Sequence, residues 1–215
     1  MNPSPKRKKA DQCLIDYKIY ALICCGVSVM GELYIALIHA PVYNKKMEQI
    51  ATSITNLDIH DIARCSATYG VKAYYIVHPG QAQQDLARRI MSFWQEGYGA
   101  EYNPNRYEAL TYVRIKSTLE DVLKELETEQ QGKKIYTVAT DARPYPNTID
   151  YKNLRRRLEE TEDIFLLLFG TGWGIIKEEI EKADYILPPI YGCGEYNHLS
   201  VRSAAAIILD RLRGK

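Results

Sequence analysis

Six short runs, most of them almost continuously apolar, restrict this chain to one class of fold; each is followed, directly or through a loop, by a segment of helical periodicity. LYIALIHA (33–40), VKAYYIVH (71–78), TYVRIK (111–116), KIYTVAT (134–140), DIFLLLFG (163–170) and DYILPP (184–189) read as strands. Most lack the in-and-out alternation of a half-exposed sheet, so they belong where both faces are covered. Residues 55–70, 81–96, 117–131, 149–160 and 172–183 read as helices, and a last helix begins near Ser200. This alternation predicts an α/β fold, a parallel sheet flanked by helices on both faces. Asn56 and Asp58 are capping candidates for the first helix, and Ser117 with Glu120 has capping-box spacing for the third. Residues 41–53 read as a loop and 97–110 as a polar, tyrosine-rich link.

At 215 residues and 46% hydrophobic content the chain can bury one full core. A net charge of +1 says little about partners; a dedicated non-specific nucleic-acid binder is usually more basic, so any RNA contact must come from local patches. The five cysteines show no CxxC and no histidine pair at zinc-ligand spacing; they read as free thiols in a reducing, cytoplasmic setting with no metal. Residues 1–29 differ from the rest: a basic start leads to YALICCGVSV, which superficially copies a signal peptide. Asp16 and Lys18 interrupt that run, and it is too short to span a bilayer. The expectation is a poorly ordered or adventitious extension over 1–29, with Met30 able to serve as a start, and one domain over 30–215 that does not enter membranes.

Three loops carry the signs of a ligand site. FGTGWG (169–174) is a glycine-rich turn between strand and helix. It is not the dinucleotide fingerprint, because Ile175 stands where the third glycine is needed, and it lacks the Lys–Ser/Thr pair of a phosphate loop. ATDARPYP (139–146) follows the preceding strand, and ILPPIYGCGEYNHLSVRSAAAIILDRL (186–212) joins the last strand to a helix with a small-residue face. Loops of this type at the carboxyl ends of successive strands predict one shared pocket. On the first helix, Asp58, Asp61 and Arg64 recur at intervals of three and share a side. His60 and His198 have no partner at metal-ligand spacing, and Cys193 lies in the last loop.

Read together, these segments resemble the SPOUT (α/β-knot) superfamily of S-adenosylmethionine-dependent RNA methyltransferases, in its SpoU-like branch. TNLDIHDIARCSATYGV (55–71) is similar to the first motif at Asn56, Arg64, Tyr69 and Gly70; LLLFGTGWGI (166–175) is similar to the second, and the stretch from Ile186 to Leu212 to the third. The likeness covers about residues 33–212 and is closest to a bacterial RNA methyltransferase group in which LYIALIHAPVYNK also recurs. Three departures stand out. His198-Leu199-Ser200 replaces Ser-Leu-Asn, Pro189 replaces a usual Met, and Asp58-Ile59-His60 stands where a glycine is common.

The resemblance implies a C-terminal trefoil knot, a homodimer with the site at its interface, and S-adenosyl-L-methionine bent among loops 140–144, 170–174 and 187–199. Its implied binding residues are Thr140 and Asp141 in the first loop, and Phe169, Gly170, Thr171, Gly172 and Gly174 in the second. The third loop adds Leu187, Pro188, Ile190, Tyr191, Gly192, Asn197, Leu199 and Ser200. Arg64 would act on a second copy's cofactor.

Methyl transfer to a ribose 2′-hydroxyl or a base nitrogen of tRNA or rRNA is an in-line displacement that needs positioning and an electron-rich acceptor. Arg64 stays protonated and so reads as an electrostatic stabiliser. If the methyl acceptor is a base nitrogen, a carboxylate or imidazole is needed, and Asp58, Asp61, His60, Glu195 and His198 are the candidates. Arg143, Arg155, Arg156 and Arg157 are candidates for phosphate contact, and Tyr43, Tyr102, Tyr107 and Tyr191 for base stacking. Two alternatives stay open on the residues alone: a non-catalytic α/β-knot dimer that binds RNA or senses cofactor, and an unrelated nucleotide-binding α/β enzyme.

Overall fold

A computed structural model describes residues 30–130 and 132–215; the expected extension over 1–29 lies outside the described residues. Six strands form one parallel sheet: β1 (Glu32–Ile38), β4 (Tyr74–Val77), β5 (Val113–Lys116), β6 (Ile135–Ala139), β7 (Ile164–Gly170) and β8 (Tyr185–Ile186). Their order is β5-β4-β1-β7-β6-β8. The two most apolar strands sit side by side at its centre, paired from Glu32↔Ile164 to Ile38↔Gly170. Alternation along β1 feeds both faces: Leu33, Ile35 and Leu37 enter one core, and Tyr34, Ala36 and Ile38 the other.

The first core is closed by α1 (Asn56–Thr68), α6 (Tyr151–Glu160) and α8 (Val201–Arg213) through Ile59, Ile62, Leu154, Leu158, Ile208 and Leu212. The second is closed by α5 (Leu119–Glu129) and α7 (Lys177–Lys182) through Val122, Leu126 and Ile180. Each fully buried aliphatic side chain is worth roughly 1.5–3 kcal/mol of transfer free energy, so these two layers dominate stability.

Several local expectations move. The segment read as a loop holds a two-residue hairpin, β2 (Val42–Tyr43) and β3 (Gln49–Ile50), closed where Asn44 Oδ1 accepts from the backbone of Lys46 and Glu48. The tyrosine-rich link after α2 (Gln81–Gln95) is two helices, α3 (Gly97–Tyr102) and α4 (Pro104–Leu110). Asn103 caps α4, with Pro104 at its first position. The capping box of α5 is Thr118 with Asp121, one residue later than Ser117 with Glu120, because the Ser117 hydroxyl instead accepts from Gln84. On α1 the cap is Thr55, not Asn56 or Asp58. The helix expected from 172 starts only at Lys177, since Gly172 and Gly174 adopt positive φ. The last strand stops at Ile186: Leu187 N–H donates one more bond to Ala139, and Pro188 and Pro189 have none to give.

Candidate functional site

Four connections leave the carboxyl ends of the strands and enclose a cavity of about 810 Å3. They are residues 52–58 after β1 and its hairpin, 140–143 after β6, 169–174 at the end of β7, and 188–201 before α8. This is the crevice that an open α/β sheet leaves where strand order reverses, between β1 and β7.

The glycine turn is shaped by the protein's own packing. A Cβ on Gly170 would lie 2.6 Å from Ile175 N, one on Gly172 2.8 Å from the Tyr43 carbonyl, and one on Gly174 2.9 Å from Asp141 Oδ2. The β2 hairpin clasps the same turn: Trp173 N donates to Tyr43 O and Tyr43 N to Gly174 O. Asp141, with its side chain 3% exposed, is not a free acceptor. Arg143 donates to its Oδ1 at 3.0 Å and its Oδ2 at 2.5 Å, and also to the Ile175 carbonyl at 3.0 Å. Asp141 and Arg143 thereby tie loop 140–143 to the end of the glycine turn. Thr140 spends both its N–H and its hydroxyl on the Leu168 carbonyl. Across the cavity, Asn197 Nδ2 donates to the Ala142 carbonyl at 2.9 Å, and the Tyr151 hydroxyl donates to Pro188 O at 3.1 Å.

The opposite wall is built where α1 and α8 begin. Asp58 is 6% exposed and takes a hydrogen bond from the Thr55 hydroxyl at 2.5 Å. Its Oδ1 lies 3.5 Å from Arg202 Nη1, while Arg202 Nε lies 3.3 Å from Asp61. Arg202 therefore bridges two of the three residues that sequence spacing placed on one side of α1. Arg64, the third, is exposed and outside the cavity wall. His60 points elsewhere, edge-on to Trp94, with its pKa lowered by burial and by Arg106.

Of the residues expected in the first two loops, all line the cavity: Thr140, Asp141, Phe169, Gly170, Thr171, Gly172 and Gly174. From the third, Pro188, Ile190, Asn197, His198, Leu199 and Ser200 do. Leu187 is instead buried beneath it, just past the end of β8, and Tyr191, Gly192 and Glu195 lie on the exposed outer part of the loop, away from the wall. His198 packs against Trp173 with ring centroids 6.2 Å apart and against Tyr196 at 5.6 Å, giving the mouth an aromatic rim.

Sequence reasoning missed Thr52, Arg202 and Trp173. Thr52 was legible only as part of a connection at a strand's carboxyl end, and Arg202 was hidden inside the alanine-rich motif. The expected phosphate contacts are differently employed: Arg143 is committed to Asp141, Arg155 pairs with Glu159 at 3.0 Å, and Arg157 lies over the Tyr185 ring. Of the aromatics, Tyr43 clasps the glycine turn, while Tyr102 stacks on Tyr98, away from the cavity.

The lining suits a nucleoside better than a polyphosphate. Phe169, Pro188, Ile190 and Ile208 supply apolar lining, and Thr52, Ser53 and Ser200 hydroxyls with the Asp58 carboxylate supply polar lining. Among the described residues the only Lys or Arg on the wall is Arg143, already neutralised by Asp141. A zwitterionic sulfonium nucleoside fits this chemistry; a triphosphate or pyrophosphate lacks a partner. Among the described residues there is no cluster of His, Cys, Asp and Glu able to hold a metal ion, and no helix long and apolar enough to cross a membrane.

Comparison with known proteins agrees with this chemistry. A family model described as SAM-dependent RNA methyltransferase matches residues 32–214. An uncharacterized protein of Aquifex aeolicus is 44% identical over 186 residues, 86% of this chain and 90% of that protein. A tRNA (guanine-N(1)-)-methyltransferase of Oleidesulfovibrio alaskensis is 45% identical over 183 residues, 85% of this chain but only 42% of the relative. This chain thus spans less than half of that longer protein. In fold it is similar to a probable methyltransferase from Bordetella pertussis, with TM-score 0.58, 17% identity and coverage of 85% and 95% of the two chains. It is also similar to the SpoU methyltransferase AviRb from Streptomyces viridochromogenes, solved with AdoMet, with TM-score 0.55, 16% identity and coverage of 85% and 57%.

Proposed function

Because the chain belongs to the family of S-adenosylmethionine-dependent RNA methyltransferases, whose model spans residues 32–214, we propose that its strand-end cavity holds the cofactor for methylation of an RNA nucleotide at the aromatic mouth. The observation that carries this reading is the cavity itself: four strand-end connections enclose about 810 Å3 lined by apolar side chains together with hydroxyls and Asp58. Phe169, Pro188, Ile190 and Ile208 would hold the adenine, and Ser200 and Asn197 would lie beside the ribose. The bound cofactor supplies an electrophilic methyl group on a sulfonium.

The chain's own residues do the rest. Trp173 and His198 at the rim offer ring faces on which an unpaired base stacks. Asp58, on the wall beside Arg202, takes the proton that leaves the acceptor nitrogen or hydroxyl as the new bond to carbon forms. The electron pair of the broken carbon–sulfur bond returns to sulfur. Arg64 is exposed on α1 outside its own chain's cavity, so it serves the cavity of a second copy in a homodimer, opposite the acceptor's phosphate or developing negative charge. We infer that α8 is threaded through the loop after β6 as a trefoil knot; the hydrogen bond from Asn197, in the segment before α8, to the Ala142 carbonyl of that loop supports this reading.

The test is transfer of tritiated methyl groups to total RNA from cells lacking this gene, with tRNA assayed first and the modified nucleotide mapped. Incorporation that disappears in Asp58→Asn supports the reading. Cofactor binding without transfer to any RNA would support instead the non-catalytic, cofactor-sensing dimer.

A further inference from the structure

Behind the cavity wall three side chains form a closed hydrogen-bond chain. His39 Nδ1 lies 3.2 Å from Thr52 Oγ1, which lies 2.5 Å from Thr171 Oγ1. Thr171 Oγ1 also reaches the Ile38 carbonyl at 3.2 Å, and Thr52 Oγ1 the His39 carbonyl at 3.3 Å. Both threonines face the cavity, and His39 is fully buried behind them.

Each hydroxyl carries a single hydrogen, and the ring offers either a donor or an acceptor at Nδ1. With the ring hydrogen on Nδ1, His39 donates to Thr52, Thr52 donates to Thr171, and Thr171 donates to the Ile38 carbonyl. With the hydrogen on Nε2, Thr171 donates to Thr52 and Thr52 donates to His39 Nδ1. In these two arrangements both hydroxyl hydrogens are used inside the protein, and each oxygen keeps at least one lone pair for the cavity. So arranged, the wall presents lone pairs and no hydrogen to the cavity.

We propose that Thr52 and Thr171 form an acceptor-only wall facing the sulfonium centre of the methyl donor, and that this wall makes the site prefer S-adenosylmethionine over its uncharged demethylated product. The proposal rests on the reading of the cavity as a cofactor site. Hydrogens on carbons attached to a sulfonium are polarised and approach oxygen lone pairs favourably. A neutral thioether offers no such charge and turns its own lone pairs toward the same oxygens. The wall thereby favours exchange of spent for fresh cofactor.

Calorimetric titration of the full chain with S-adenosylmethionine, S-adenosylhomocysteine and sinefungin, which carries an ammonium at the sulfonium position, tests this. The native chain should bind the two cations more tightly than the thioether. Thr52→Val and Thr171→Val should each cut the preference for S-adenosylmethionine by about threefold, the scale of a weak C–H···O contact. The preference for sinefungin should fall by roughly tenfold, because its contact is a charge-assisted hydrogen bond. Binding of the thioether should not change, which shows that the cavity is intact. Thr52→Ser and Thr171→Ser, which keep the hydroxyl, should restore the preference. Equal weakening of all three ligands in the valine variants would overturn the proposal, because the wall would then meet a group they share. So would an unchanged preference, or a native chain that binds the thioether as tightly as the cations. Failure of the native chain to bind any of the three would overturn the cofactor reading along with it.

Discussion

Asp58 holds two jobs that a single substitution can separate. Its carboxylate receives the Thr55 hydroxyl at the start of α1 and pairs with Arg202 at the start of α8, so it ties two helix N-termini together at the cavity wall. Asp58→Asn keeps the shape and the acceptor for Thr55 while removing the base. Methyl transfer should fall by about 100-fold or more, the usual worth of a general base, with cofactor affinity and denaturant midpoint nearly unchanged. Undiminished transfer would remove Asp58 from the chemistry. His39 gives a pH signature of the fold. Burial, with His78 alongside, lowers its pKa from 6.5 to about 4. The unfolded chain therefore takes up a proton between those values that the folded chain refuses. The resulting stability is fully present above pH 6.5 and is lost as pH falls toward 4. Denaturant midpoints should show the native chain losing roughly 2–3 kcal/mol more than His39→Gln on going from about pH 7 to about pH 4. Parallel pH profiles for the two would contradict the burial argument.

At the scale of elements, the glycine turn and the last loop make opposite demands. A methyl group on Gly170 would press on Ile175 N at 2.6 Å, whereas one on Gly192 would meet nothing within 4 Å. Gly170→Ala should abolish cofactor binding and cost on the order of 1–3 kcal/mol by overpacking, while Gly192→Ala should be silent; calorimetry and denaturant unfolding read both. At α5, Thr118→Ala should cost about 1 kcal/mol as a lost cap and Ser117→Ala much less. That contrast marks what sequence could and could not show. Strands covered on both faces announce themselves as apolar runs, so sheet, helices and the three loops at strand ends were legible from residues such as Leu166 to Phe169 and Pro188. Which of two adjacent hydroxyls caps a helix depends on where β5 releases the chain, and that is a tertiary fact. So is the meeting of Thr52 with Thr171, 119 positions apart. Arg202 resembled any solvated arginine until α8 was laid beside α1. The late start of α7 follows from positive-φ glycines, a signal present in GTGWG but read only as a ligand turn.

For the whole molecule, the exposed position of Arg64 and the paired position of Arg202 divide the account between one chain and two. If Arg64 serves the cavity of a second copy, Arg64→Ala and Gly170→Ala chains, each inactive alone, should recover methyl transfer when mixed and allowed to exchange, because one site of the mixed dimer is then intact. No recovery in a mixture shown by sedimentation to contain dimers would place Arg64 outside the site. All of this depends on the cavity at the strand ends being the cofactor site. The most direct measurement is calorimetric titration of the native chain and of Gly170→Ala with S-adenosylmethionine, with NAD and ATP as controls. One molecule of S-adenosylmethionine per native chain, none to the Gly170→Ala chain and none of either control is the expected result. Silence toward S-adenosylmethionine, or equal binding of ATP, would contradict it.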